Sequence, residues 1–167
     1  MDALGEHSFA IIPGVFLSDD PEQNHAFVQI LDGATGRSTY HRYPGEEFWA
    51  AEGELDLYIG PNHFTAEHLS LQIESPELEI GGELRFSGLR PWPVTLRSPG
   101  IMGWYAWVPF METYHGVVSL DHRIGGALRV NGQPVDLTGG RGSIDRTTRP
   151  LEHRTLLTKA HVPPSQP

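Results

Sequence analysis

The sequence predicts an all-β protein, an antiparallel sandwich or barrel. Three observations carry that prediction. Apolar residues recur at every second position through much of the chain, glycine and proline are plentiful (19 and 14 of 167 residues), and no stretch has the spacing of a useful amphipathic helix. Roughly eight or more short strands with closely spaced turn signals fit a sandwich or a barrel.

Each element has its own signal. FAIIPGVFL (9–17) is apolar enough for a strand, and Pro13-Gly14 predicts a break within it. HAFVQILDG (25–33) alternates loosely and ends in turn residues, and STYHRY follows across DGATGR as a hairpin. LDLYIG (55–60) places Leu55, Leu57 and Ile59 on one face, and HLSLQIE (68–74) does the same with Leu69, Leu71 and Ile73. ELEIGGELRFSGL reads either as two strands across Gly81-Gly82 or as one strand with a glycine bend. In ALRVNGQPVDL (127–137), Asn131-Gly132 lies between apolar alternations. That pair signals a hairpin because a type I′ turn needs positive φ at both central positions.

Bulk composition limits function. The chain is long enough for one domain with a real core. Its net charge of −9 argues against a nucleic-acid partner, because phosphate binding needs a basic surface. Cysteine is absent, which excludes disulfides, thiolate metal sites and a thiol nucleophile. No basic, apolar leader opens the chain, and no apolar run approaches bilayer length. The reading is a soluble, cytoplasmic protein that can still meet a membrane surface to collect a ligand. Residues 1–142 read as one β domain. From 143 the alternation stops, four basic side chains meet two acidic ones, and prolines close the chain, so 143–167 reads as an atypical, disordered tail.

The segment GWYAWVPFMETYHGVVSLDH (103–122) concentrates rings and ionisable groups. Pro109 divides it at an edge or bulge. Tyr105 and Trp107 share one strand face and Trp104 the other. A regular strand after Pro109 puts His115, Val117, Ser119 and Asp121 on one face, with Val118, Leu120 and His122 opposite. His115 and Asp121 are then about 20 Å apart. Glu112 and His115 converge only if a local turn brings them together. Three readings of the segment stay open: ring packing with polar turns, a ligand cavity walled by rings, or a metal site. The metal reading is the weakest, because Glu-x-x-His is a ligand spacing on bundle helices and the helical context is missing. The sequence has no Gly-rich phosphate loop and no Gly-x-Ser-x-Gly nucleophile elbow.

FAIIPGVF, AFVQILDG, YPGEEFW, LYIGPNHF and PGIMGWYAWVPFMETYHGVVSLDHRIGGALRVNGQPVDLTGGRG, in this order, resemble the tocopherol cyclase-like family from about residue 9 to 142. The resemblance implies a lipocalin/calycin-like β architecture, usually with two β halves, and here an incomplete one. It implies ring closure of a prenylated hydroquinone to a chromanol, with no redox cofactor and a prenyl lipid as ligand. The family's EGWYYK-like opening run is missing before Glu6. Its YIEKDWG-like continuation after GGRG gives way to SIDRTTRPLEHR, so the chain resembles a front portion that would pair with a second half. A non-catalytic isoprenoid-binding module and an inactive fragment are the alternatives.

The chemistry asks for an acid that stays protonated near neutral pH, and a carboxyl among apolar side chains meets that need. Glu112, among Phe110, Met111 and Tyr114, is the first candidate and Asp121 the second. The developing tertiary cation calls for ring faces, supplied by Trp104, Tyr105, Trp107 and Tyr114, with Phe110 completing the substrate wall. His115 is the candidate base for the phenol proton.

Overall fold

A computed structural model describes residues 1–93 and 114–148 of the chain. It is all-β and antiparallel, in two sheets. The first sheet has the order β1-β2-β3, from β1 (Phe9–Phe16), β2 (His25–Asp32) and β3 (Ser38–Pro44). The second holds β4 (Phe48–Ala50), β5 (Asp56–Ile59), β6 (Asn62–Thr65), β7 (His68–Glu74), β8 (Glu79–Ser87), β9 (Tyr114–Val130), β10 (Gln133–Asp136) and β11 (Arg141–Thr148). Its order is β10-β9-β8-β7-β6-β5-β4, with β11 also on β9. No closed barrel forms among the described residues, as an incomplete barrel or a sandwich requires. The helical elements described are two single turns, Pro21–Gln23 and Gly45–Glu47.

The hairpins form where the turn chemistry places them. Asp32 accepts the Ala34 amide at 2.9 Å and the Thr35 hydroxyl at 2.8 Å, which closes the β2–β3 turn. Asn131 and Gly132 both have positive φ, 49° and 79°, as the β9–β10 turn requires. The GG stretch lies within one strand. Gly82 of β8 pairs with Leu128 and Gly126 of β9 pairs with Leu84. A Cβ at Gly126 would lie 2.4 Å from the Glu83 carbonyl oxygen, so the two strands approach more closely there than any side chain permits.

Two expectations need correction. Pro13-Gly14 does not break β1. The strand runs through both, pairing Pro13 with Val28 and Gly14 with Phe27. β1 is an edge strand, where a proline is tolerated if its missing N–H would face away from the neighbour. The chain also stays in the sheet past 142, because β11 pairs with β9 through Thr148. Local sequence favoured a tail there, but this long-range pairing holds residues 143–148 in place.

One apolar core joins the sheets. Ala26, Val28 and Ile30 of β2 meet Ile59, Phe64, Leu69, Leu71, Ile73, Ile80, Leu84, Ile124 and Leu128 of the large sheet. Leu57 and Ile59 behave as the alternation predicts, while Leu55 precedes the strand. Burial of each such side chain contributes about 1.5–3 kcal/mol over leaving it exposed. The fully buried Asn62 ties the layers together. Its Nδ2 donates to the Ile59 carbonyl at 2.9 Å and to the Tyr43 hydroxyl at 3.1 Å, and its Oδ1 accepts the Gln72 amide at 2.9 Å.

Candidate functional site

Strand β9 carries the described end of the ring-rich segment. Trp104, Tyr105, Trp107, Phe110 and Glu112 lie outside the described residues. Tyr114 and His115 open β9, where their backbones pair with Thr148 and Thr147 of β11. Asp121 and His122 follow further along the same strand.

The strand is not regular, and this changes which residues share a face. The register against β11 shifts twice, between Gly142 and Ile144 and between Ile144 and Asp145. Each shift is a bulge that breaks the two-residue alternation. As a result Ser119 and His122, placed on opposite faces by a regular period, are both buried, at 0% and 3% exposure. Leu120, expected beside His122, is exposed instead.

The bulged stretch is held by backbone bonds. The Ser119 hydroxyl donates to the Asp121 carbonyl at 2.8 Å and accepts the Arg90 amide at 3.1 Å. The Leu120 amide donates to the Arg90 carbonyl at 2.8 Å, so the chain leaving β8 stays against β9. Ser119 is thereby committed to structure. Asp121 is committed as well. Both of its carboxylate oxygens accept from Arg141, Oδ1 from Nε at 2.8 Å and Oδ2 from Nη2. A carboxylate that grips a guanidinium with both oxygens is committed to that partner. The structure therefore brings Asp121 to Arg141.

His122 is the residue that sequence reasoning passed over. Its ring packs on Phe86, with centroids 4.6 Å apart, and faces Gly142 of β11. A Cβ at Gly142 would lie 2.6 Å from Nε2, so glycine makes room for the ring. Nδ1 is buried and has no hydrogen-bond partner among the described residues. Burial lowers the pKa of this histidine, against a smaller opposing pull from Asp121. Burial thus favours the uncharged form of this imidazole. No local signal distinguishes it, because SLDH looks like a strand end and only the bulge turns it inward.

A second cluster lies on the face of the large sheet opposite the core. Tyr58 of β5 and His63 of β6 stack at 4.0 Å with 6° between their planes. Trp49 of β4 lies 5.8 Å from Tyr58, and His68 of β7 meets His63 edge-on at 5.9 Å. The Asp56 carboxylate accepts from His63 Nε2 at 2.8 Å. These rings come from four strands, and pairing alone collects them. Among the described residues no group of three or more His, Cys, Asp or Glu is placed to hold a metal ion. A solvent-open hollow of about 320 Å³ lies over the β7–β8 hairpin, lined by Glu74, Glu79 and Arg129 among others, and neither Asp121 nor His122 lines it. No helix among the described residues is long and apolar enough to cross a membrane.

No family model, curated protein or solved structure matches this chain.

Proposed function

We propose that the chain takes up a prenylated hydroquinone and closes it to a chromanol, in keeping with its resemblance to the tocopherol cyclase-like family. The observation that carries the reading is the sequence run PGIMGWYAWVPFMETYHGVVSLDH, whose last residues lie in β9 and which ends at the buried His122. In this scheme the Glu112 carboxyl gives its proton to the alkene of the prenyl chain. The tertiary carbon becomes cationic, and the indole and phenol faces of Trp104, Tyr105, Trp107 and Tyr114 stabilise it. The phenol oxygen then bonds to that carbon and its proton passes to a histidine, His115 or His122. One C–O and one C–H bond form, the O–H bond and the alkene π bond are lost, and no atom enters or leaves overall. Holding both ends of one folded molecule supplies the entropic part of the rate.

A non-catalytic prenyl-lipid binder is the second reading. The observation favouring it is the Asp121–Arg141 pair, in which one of the two candidate acids is engaged with a guanidinium. Incubation of the full chain with a phytylated hydroquinone, without added cofactor, separates the two. Chromanol formation that is lost in Glu112→Gln is the expected result. Turnover that survives in Glu112→Gln rejects the acid assignment, and saturable binding without turnover selects the second reading.

A further inference from the structure

We propose that the outward face of the three-stranded sheet docks this protein on a lipid bilayer. The proposal rests on the prenyl-lipid reading above, because such a ligand is dissolved in membranes. Alternation along β1, β2 and β3 turns one side of each strand into the core and the other outward. The outward side is unusually apolar. Ile12, Phe16 and Tyr40 are 46%, 45% and 44% exposed, and Leu17, just past β1, is 43% exposed. Large apolar side chains grouped on one face mark an interaction surface, whereas the same residues scattered singly would not.

Charge selects the partner. The chain has 21 acidic residues, yet no Asp or Glu occupies an outward position of β1, β2 or β3. Arg42 is the one Lys or Arg at those positions. The carboxylates nearest in sequence to Phe16, at Asp19, Asp20 and Glu22, belong to the β1–β2 connection. A face free of carboxylates in an acidic protein avoids the cost of bringing anions to hydrocarbon or to anionic headgroups. Tyr40 and Arg42 suit the headgroup level, each having an apolar body and a polar tip.

The platform is also ordered in advance. Phe27 lies over Gly14 and stacks on Tyr40 at 4.9 Å, and Phe16 stacks on His25 at 5.1 Å. The Tyr40 hydroxyl is 2.9 Å from His25 Nε2. Rings fixed in this way lose little rotamer freedom on docking.

Flotation of the full chain with phosphatidylcholine vesicles, and with an equimolar mixture of phosphatidylcholine and phosphatidylglycerol, tests the proposal without any substrate. The protein is expected to float with both, and more with the anionic mixture. Ile12→Ser/Phe16→Ser should cut partitioning about tenfold or more, since two apolar side chains no longer leave water. Arg42→Gln should weaken binding to the anionic vesicles alone. Both variants alter exposed side chains, and an unchanged melting temperature confirms that they fold. Wild-type protein that floats with neither vesicle, or a serine variant that floats as well as wild type, overturns the proposal. Self-association that the serine variant abolishes, without flotation, assigns the face to a second copy and overturns it too. Ring closure measured on detergent-dispersed substrate reports on the catalytic reading separately, because that assay needs no bilayer.

Discussion

Replacing Asn62 with alanine should destabilise the protein more than any other single polar truncation in its core. Asn62 is fully buried and makes three hydrogen bonds, to β5, to β7 and across the layers to Tyr43 of β3. Alanine leaves the Gln72 amide without its acceptor in a site that excludes water, at about 1–3 kcal/mol. Loss of the two Nδ2 bonds adds about 0.5–1.5 kcal/mol each. The sum is about 2–6 kcal/mol, and its middle, about 4 kcal/mol, corresponds to a melting temperature lower by about 8–16 °C for a chain of this size. Urea denaturation of wild type and Asn62→Ala, extrapolated to water, measures it. Gln72→Ala is the control, because it keeps the backbone amide and removes only an exposed side chain, with an expected change within about 0.5 kcal/mol. An Asn62→Ala variant within about 1 kcal/mol of wild type would refute the claim that this residue joins the two layers.

Other consequences follow from the same structure. Burial lowers the pKa of His41 and of His122, so the unfolded chain binds protons first as pH falls. Stability should therefore decline from about pH 6.5 downward, and His122→Leu should flatten part of that slope in thermal melts taken between neutral and mildly acid pH. Asp32 and Asp136 have lowered pKa values, chiefly from the Thr35 and Thr138 side-chain hydrogen bonds. Their contribution is present above about pH 4 and is lost as pH falls through the folded-state values, which a second acid phase in the same melts would register. Gly126→Ala should cost about 3 kcal/mol or more, because its Cβ meets the Glu83 carbonyl in a backbone with φ of 110°. Gly36→Ala has a φ of 70° but open space around it, so it should cost only about 1–2 kcal/mol in the same denaturation assay. Asp121→Asn should change stability by less than about 1 kcal/mol, since its Arg141 partner is largely exposed, and should leave chromanol formation intact.

Much of the fold was legible in the sequence because the forces that set it are local. Leu69, Leu71 and Ile73 announce a half-buried strand, and all three are buried. Asn131-Gly132 announces a tight hairpin, and both residues adopt the required φ. The features that escaped depend on partners remote in sequence. Pro13 reads as a breaker, and only the place of β1 at a sheet edge makes it harmless. Residues 143–148 read as tail until β9 is available to pair with them. The site shows the same division. Asp121 stood out by residue type, yet its role is decided by Arg141, twenty positions away. His122 looked unremarkable, and the bulges in its own strand, visible only against β11, turn it inward. Trp49, Tyr58, His63 and His68 form a ladder that no sequence window contains, because each sits on a different strand.

The most direct test of the account is ring closure run in D₂O, followed by mass spectrometry of the product after exchange back into ordinary water. Proton transfer from a protein acid to the alkene places one non-exchangeable deuterium on the carbon next to the new C–O-bearing centre, so the chromanol should be heavier by one deuterium. A chromanol of unlabelled mass, or the absence of chromanol from a protein that binds the hydroquinone, would contradict it.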